Sequence, residues 1–437
     1  MEKYTVAIRA VTAMVVLAAL LAMAGAGCKK TLVEPANEKG PVINLLRAIP
    51  PVVGINQPCT VYCTATEPEL DPMIYIWDAV AGSFTSLEGD PLDTLGSEAD
   101  SMVIWTAPSG PDVYPVWVEV SDGRDSVSID TIEVIVASYY LRDSFGSSGM
   151  AAGYFSIPAG IAFDSLNHQV YIADYNNVRF QRSTDLLFQN FQDWTSAGEL
   201  EFYTPFDVAV GPHGDVVYAV DGEYVMKFST ASLESLAVYS LENCVSVDVS
   251  ADGLVWVAQG KPREGTTGEA IAILDADLSG TLHLRRGIRG PLGLAVDSKR
   301  DCFYVVQVRD ETHCNVIKYA PLDETFTAVD TIGTYGIGDG QFVNPFAVAV
   351  DREGSVYVTC AGGGVTLGDT LGLSTGIQKF MEDVAGGGGM VYSERWGSRG
   401  DAEEQFISPI MGICVDYQGD VYVSDTGHDR IKIFSNR

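Results

Sequence analysis

The stretch Pro345 to Thr359 reads Pro-Phe-Ala-Val-Ala-Val-Asp-Arg-Glu-Gly-Ser-Val-Tyr-Val-Thr, and it constrains the chain because it keeps returning. Small and larger side chains alternate through Ala347, Val348, Ala349 and Val350. Asp351 and Gly354 bracket a hairpin turn, and Val356-Tyr357-Val358 runs back. The first strand recurs at Gly160 to Asp164, Asp207 to Gly211, Ser246 to Ser250, Gly293 to Asp297 and Gly412 to Asp416. Five of the six copies follow a proline: Pro158, Pro205, Pro291, Pro345 and Pro409. The returning strand always carries an aromatic: Tyr171, Tyr218, Trp256, Tyr304, Tyr357 or Tyr422. A third apolar strand follows each time, as in Ile377 to Phe380 and Ile431 to Phe434. Periods of about 40 to 50 residues with four strands per period predict the blades of a β-propeller.

The alternation has a physical cause. The first strand of a blade lies nearest the axis, where neighbours crowd, so one of its faces must be small. A linear solenoid would not impose this. The sixth copy ends at Arg437 with no residues left for a fourth strand. Tyr140 to Gly149 has the shape of a fourth strand and its following loop, and it precedes the first copy. The expectation is a six-bladed ring over residues 138–437, closed by an outer strand at 139–145, which leaves no exposed closing edge.

With 437 residues, the chain is expected to hold more than this ring. A formal charge of −31 argues against nucleic acid as a partner. Residues 1–27 read as a processing signal, with Lys3 and Arg9 ahead of an apolar run from Ala10 to Ala24. The junction Gly25-Ala26-Gly27-Cys28-Lys29 resembles a bacterial lipoprotein lipobox, with Gly25 where an aliphatic residue is usual. The resemblance implies a lipid anchor on Cys28, a polar tether over 28–40, a membrane partner and a place in the bacterial cell envelope. A plain secretory signal cut nearby is the alternative. Seven further cysteines are scattered at strand positions and read as small core residues.

Residues 41–137 show about seven short alternating strands, the pattern of an immunoglobulin-like sandwich. Thr64 to Pro72, Tyr75-x-Trp77, Trp105-Thr-Ala-Pro108 and Tyr114 to Gly123 are similar to a PKD-type module, which implies a spacer or adhesion unit. Trp77 is the expected core tryptophan, and Trp117 has the outward parity.

The ring itself resembles the NHL-repeat family. The units that carry the resemblance are Gly338 to Val358 and Pro409 to Phe434, whose Asp425-Thr-Gly-His-Asp-Arg430 is met in the first copy by an Asp-x-x-Asn-x-Arg element, Asp174, Asn177 and Arg179. Copies two to five depart from it. The resemblance implies a binding platform for a protein, peptide or glycan. It leaves a rival: a cation-dependent hydrolase or lyase, lactonase-like or like the zinc-dependent amidating lyases. Turns from first to second strand are tight, whereas insertions such as Gln259 to Glu269 and Ala361 to Thr375 fall on the opposite face. Long loops on a rigid scaffold are where binding is built. Arg179, Arg263 and Arg430 are the candidate contacts there, with backbone carbonyls between blades as the other role for Arg179 and Arg430. Five histidines scattered over both faces and an outer strand cannot converge on zinc. Asp207 and Asp248 stand on the small-residue face of an inner strand, and two carboxylates at the axis are a candidate cation pair, with Ca²⁺ the ion to try. Pairing with a neighbouring cation or solvation in a wet channel is the alternative.

Overall fold

The computed structural model describes residues 40–436 apart from 50, 69, 88–100, 124–126, 186, 261–268, 311–312, 363–374 and 384–388. Cys28, the signal, most of the tether and Arg263 lie outside the described residues.

The N-terminal part carries β1 (Val42–Ile49), β2 (Val52–Gly54), β3 (Pro58–Thr66), β4 (Ile74–Ala79), β5 (Ser83–Thr85), β6 (Met102–Thr106), β7 (Asp112–Ser121) and β8 (Val127–Ala137). They form two four-stranded sheets, ordered β1-β3-β6-β5 and β2-β8-β7-β4. The period-two pattern turns Val61, Cys63, Trp105, Trp77, Val116, Val118 and Val134 into one shared core. Trp105 is fully enclosed, and its indole N–H donates to the Ala81 carbonyl at 3.1 Å. Trp117 is half-buried on the outward parity, opposite Asp78 and Thr131. Cys59 and Cys63 face the core as free thiols, and burial pushes them up to about 12 and about 11.

The rest is a ring of six blades. Blade 1 has strands Pro158–Asp164, Gln169–Asp174, Arg179–Ser183 and Phe191–Trp194 from axis to rim. Blade 4 repeats this with Pro291–Asp297, Cys302–Asp310, His313–Ala320 and Thr327–Ile332. Blade 5 uses Pro345–Val350, Val356–Ala361, Thr375–Glu382 and Met390–Trp396. Blades 2 and 3 form one continuous six-strand ladder, because two long extended segments each serve twice. Val216–Ser229 follows the inner strand Pro205–Val210 and folds back at Gly222, so that the Thr230 amide meets the Asp215 carbonyl at 3.0 Å. Ser235–Val249 is the rim strand of blade 2 and then the inner strand of blade 3, which continues with Val255–Gln259, Ala270–Leu274 and Thr281–Arg286. In blade 6, Gly412–Val415, Val421–Asp425 and Arg430–Ser435 are completed at the rim by β9 (Tyr140–Phe145), with Ile431 opposite Phe145 and Ser435 opposite Tyr140.

Six apolar clusters lie one at each seam between blades, and the seam between blades 6 and 1 is among them, with Tyr422, Ile431 and Ile433 against Ile161, Val170 and Ile172. All six second-strand aromatics are at most 2% exposed, because each fills a seam. The thin inner face is required: a Cβ on Gly412 would stand 2.1 Å from the Ala159 carbonyl oxygen, and one on Gly293 2.7 Å from that of Phe346. A third device emerges only in three dimensions. Phe155, Phe202, Phe342 and Phe406 each precede an inner-strand proline by three residues, and all four are buried under the loop between blades. The carbonyl just before that phenylalanine is held by a third-strand side chain: Gln181 to Tyr154 at 2.7 Å, Gln378 to Gln341 at 2.6 Å, and Lys432 to Gln405.

Candidate functional site

Two places collect functional groups: the axial channel and the face where the blades are joined. The inner strands of all six blades line a cavity of ≈ 200 Å³ on the axis. Its wall is made of parallel strand edges, and a strand edge presents amides that need acceptors. Asp207 supplies them across one seam. Its Oδ2 accepts from the Ser246 hydroxyl at 2.7 Å and the Val247 amide at 3.0 Å, while Oδ1 accepts from the Val208 amide at 2.9 Å. Ser246 in turn accepts from the Leu294 amide at 3.1 Å, so one chain of bonds runs through blades 2, 3 and 4. Asp248 repeats the motif: Oδ2 accepts from the Val296 amide at 2.7 Å and Oδ1 from its neighbour Val249 at 2.8 Å. At two other seams a second-strand hydroxyl bridges the blades in the opposite sense, donating to a carbonyl: Thr359 to Ile410 at 3.0 Å and Ser424 to Ala159 at 2.6 Å.

Removal from bulk water raises both acids, Asp207 to about 7 and Asp248 to about 6, and the charge of Asp248 adds to the rise at Asp207. The sequence suggested a cation pair. The structure gives all four carboxylate oxygens an N–H or O–H donor, so both acids already serve the strand edges around them. Ca²⁺ takes six to eight oxygens. No group of three or more His, Cys, Asp or Glu side chains converges among the described residues. Two acids with no third side-chain ligand among the described residues fall short of that set and do not fit a bound Ca²⁺.

On the joining face, the Asp-and-Arg elements are internal fasteners. Asp174 Oδ2 accepts from Asn177 at 2.8 Å, Arg179 Nε at 2.8 Å and Gln181 at 2.9 Å, and its Oδ1 accepts from the Ser156 amide at 2.7 Å. The guanidinium of Arg179 then donates to the carbonyls of Met150, Ala151 and Tyr154 and pairs with Asp193, all within 2.9 Å. Arg179 is buried with its nitrogens engaged, so it offers no surface to a ligand. Asp425 gathers His428 Nδ1 at 2.8 Å, Arg430 Nε at 3.1 Å and the enclosed Lys432 at 2.9 Å. Arg430 remains one-fifth exposed and is the described arginine candidate that reaches the surface. The fasteners of blades 5 and 6 escaped sequence reading because Gln378 and Lys432 lie on strands, where a polar residue reads as solvent-facing.

Among charged groups such as Asp339 and Asp401, this face also exposes apolar side chains. Met150 is 82% and Tyr203 85% exposed, and Tyr154, Val178, Ile337 and Ile407 are partly so. All six stand on loops between blades or between second and third strands, hence on one side. The opposite turns expose Leu166, Leu187 and Tyr417. Beside Tyr203 a cleft opens between Asn177, Val178, Thr195, Ser196, Glu199 and Phe202. Tyr203 was not singled out in the sequence, although it sits between a buried Phe202 and Pro205 where a core residue has no reason to stand.

No family model matches the chain, and no curated protein matches it. Solved structures do. A Bacteroides thetaiotaomicron protein of unknown function aligns over 92% of this chain and 99% of its own, at 15% identity and a TM-score of 0.50. That span includes the N-terminal sheets as well as the ring. A Xanthomonas campestris gluconolactonase aligns over 64% of this chain and 86% of its own (14% identity, TM-score 0.46). The calcium-binding protein regucalcin from Agrobacterium tumefaciens aligns over 66% and 94% (12% identity, TM-score 0.45). At 15% identity and a TM-score of 0.50, the first likeness speaks to the fold alone.

Proposed function

We propose that the chain is a binding protein of the bacterial cell envelope. In this reading Cys28 carries the lipid anchor, residues 28–40 are the tether, and the two N-terminal sheets are a PKD-type spacer. The NHL-type propeller is the platform, and it takes a protein, peptide or glycan on the joining face. The observation that carries this is the collection of Met150, Tyr154, Val178, Tyr203, Ile337 and Ile407 on one side of a rigid ring. Exposed aromatic and methionine side chains grouped on loops are the usual material of a binding surface. The channel acids, taken up by amides, support a structural rather than a hydrolytic role.

The test is a glycan array and a displayed peptide library probed with the ectodomain and with Tyr203→Ala and Met150→Ala. Both side chains are exposed, so melting should not change. At least a tenfold loss of the selected ligand in either variant supports the joining face. Equal retention by both variants overturns it.

A further inference from the structure

The rim of blade 3 differs from every other rim in the molecule. Like the rim strands of blades 1, 4, 5 and 6, Thr281–Arg286 is the last strand of its sheet, so one edge of its backbone has no partner strand among the described residues. An open edge is a template for another strand, and proteins guard it with charge. In a chain of net charge −31, acidic guards repel other copies. Five rims follow that rule: Asp193, Asp330, Glu394 and Asp143 lie on four of them, and Glu234 and Glu242 flank the rim strand of blade 2. Blade 3 breaks it. From Leu278 to Val296 there is no Asp or Glu, while His283, Arg285, Arg286 and Arg289 all fall in this run.

The placement of these groups is specific. From His283 to Arg286 the register with the third strand is unbroken, so the free edge is straight over that length. Leu282 and Leu284 are exposed, and so are Arg286 and Arg289, which pair with no described residue. Arg285 lies over the Phe326 ring at 5.0 Å, and His283 stands 3.8 Å from Glu324. The strand thus offers three things in one place: unpaired backbone donors and acceptors, two leucines, and an arginine fork on either side of Gly287.

We propose that the free edge of Thr281–Arg286 docks an extended acidic segment of a partner protein by strand addition. The backbone supplies the ladder, Leu282 and Leu284 take alternate apolar side chains, and Arg286 and Arg289 take carboxylates. This surface lies on the rim, away from the joining face, and does not depend on the function proposed for that face.

The probe is a fluorescein-labelled peptide of alternating glutamate and valine, titrated against the ectodomain by anisotropy. Three competitors accompany it: the same peptide N-methylated at every second residue, a lysine–valine counterpart, and phosphatidylglycerol vesicles. The expected result is saturable binding, weakened at least tenfold by N-methylation, by Arg286→Glu with Arg289→Glu, and by raising salt from 50 to 500 mM. Melting curves of the double variant should match the parent. No binding overturns the proposal. Equal binding of the N-methylated peptide overturns it in favour of plain charge attraction. Binding to vesicles but not to peptide overturns it in favour of a lipid surface. Self-association of the free ectodomain that the double variant abolishes overturns it in favour of a second copy.

Discussion

Arg179 and Arg430 occupy equivalent positions, yet the structure separates their roles by burial. Arg179 fastens Asp174, Asp193 and three carbonyls inside the joint between blades 6 and 1. Removing it leaves a fully enclosed Asp174 without its cation, which should cost roughly 3–5 kcal/mol. Arg430 gives Asp425 one bond while His428 and Lys432 remain, so Arg430→Ala should cost about 1 kcal/mol. Urea midpoints of the two variants would show the difference, and equal losses would contradict this assignment. The channel acids make a second prediction at this scale. Burial holds Asp207 and Asp248 above the ~3.9 of an unfolded chain. Between those values the folded chain keeps protons that the unfolded chain releases. Their stabilisation is therefore complete below pH ~4 and is lost as pH rises through 6 and 7. In the double variant Asp207→Asn with Asp248→Asn this slope should disappear. Urea midpoints measured from pH 4 to 8 check it, and parallel profiles of parent and variant would refute it.

At the level of the strand, each inner strand is a two-faced wedge, and the glycines show how little room the thin face has. Gly412→Ala sets a Cβ against the Ala159 carbonyl oxygen at 2.1 Å, where backbone has to move, and should cost roughly 1–3 kcal/mol. Gly280→Ala meets nothing within 4 Å and is the neutral control in the same thermal melts. This wedge was legible in the sequence because it rests on side-chain size at a period of two, the one property a strand writes directly into its residues. The second-strand aromatics and the tight Asp-to-Gly turns were legible for the same reason. The polar fasteners were not. Asp207 and Asp248 stood out as acids among alanines, and isolated acids invite a metal, but the amides they serve belong to a neighbouring blade some forty residues along. Sequence order cannot display an acceptor's donors when those donors are backbone. Lys432 is the sharper case: a lysine inside a core strand is intelligible only beside Asp425, the Gln405 carbonyl and the Phe406 ring, 4.3 Å beneath it.

For the molecule as a whole, the rim strand of the last blade comes from the segment just after the N-terminal sheets, so the ring is held shut by residues from its two ends. The latch does not begin at β9. Tyr139, one residue earlier, lies in the seam of blades 5 and 6, stacked on Trp396 at 4.2 Å. Lys379 donates to the Tyr139 hydroxyl at 3.2 Å, that hydroxyl lies 2.9 Å from the Tyr357 hydroxyl, and Tyr357 donates to Asp351 at 2.9 Å. Since Tyr357 spends its proton on Asp351, Tyr139 must donate to Tyr357, and the chain of bonds has one direction. Seating Tyr139 thus completes a buried network as well as an apolar contact worth about 1.5–3 kcal/mol. The consequence concerns the whole ring, because β9 covers the edge of the third strand of blade 6 and ties the start of the ring to its last blade. A chain lacking residues 138–146 should melt lower and over a broader range, and the free peptide of that sequence should restore a single sharp transition. The same peptide with Tyr139→Ala keeps the strand and loses the seam contact, so it should bind at least tenfold more weakly. Full rescue by both peptides would place closure in the strand alone, and an unchanged melt of the deleted chain would show that the six seams hold the ring without it.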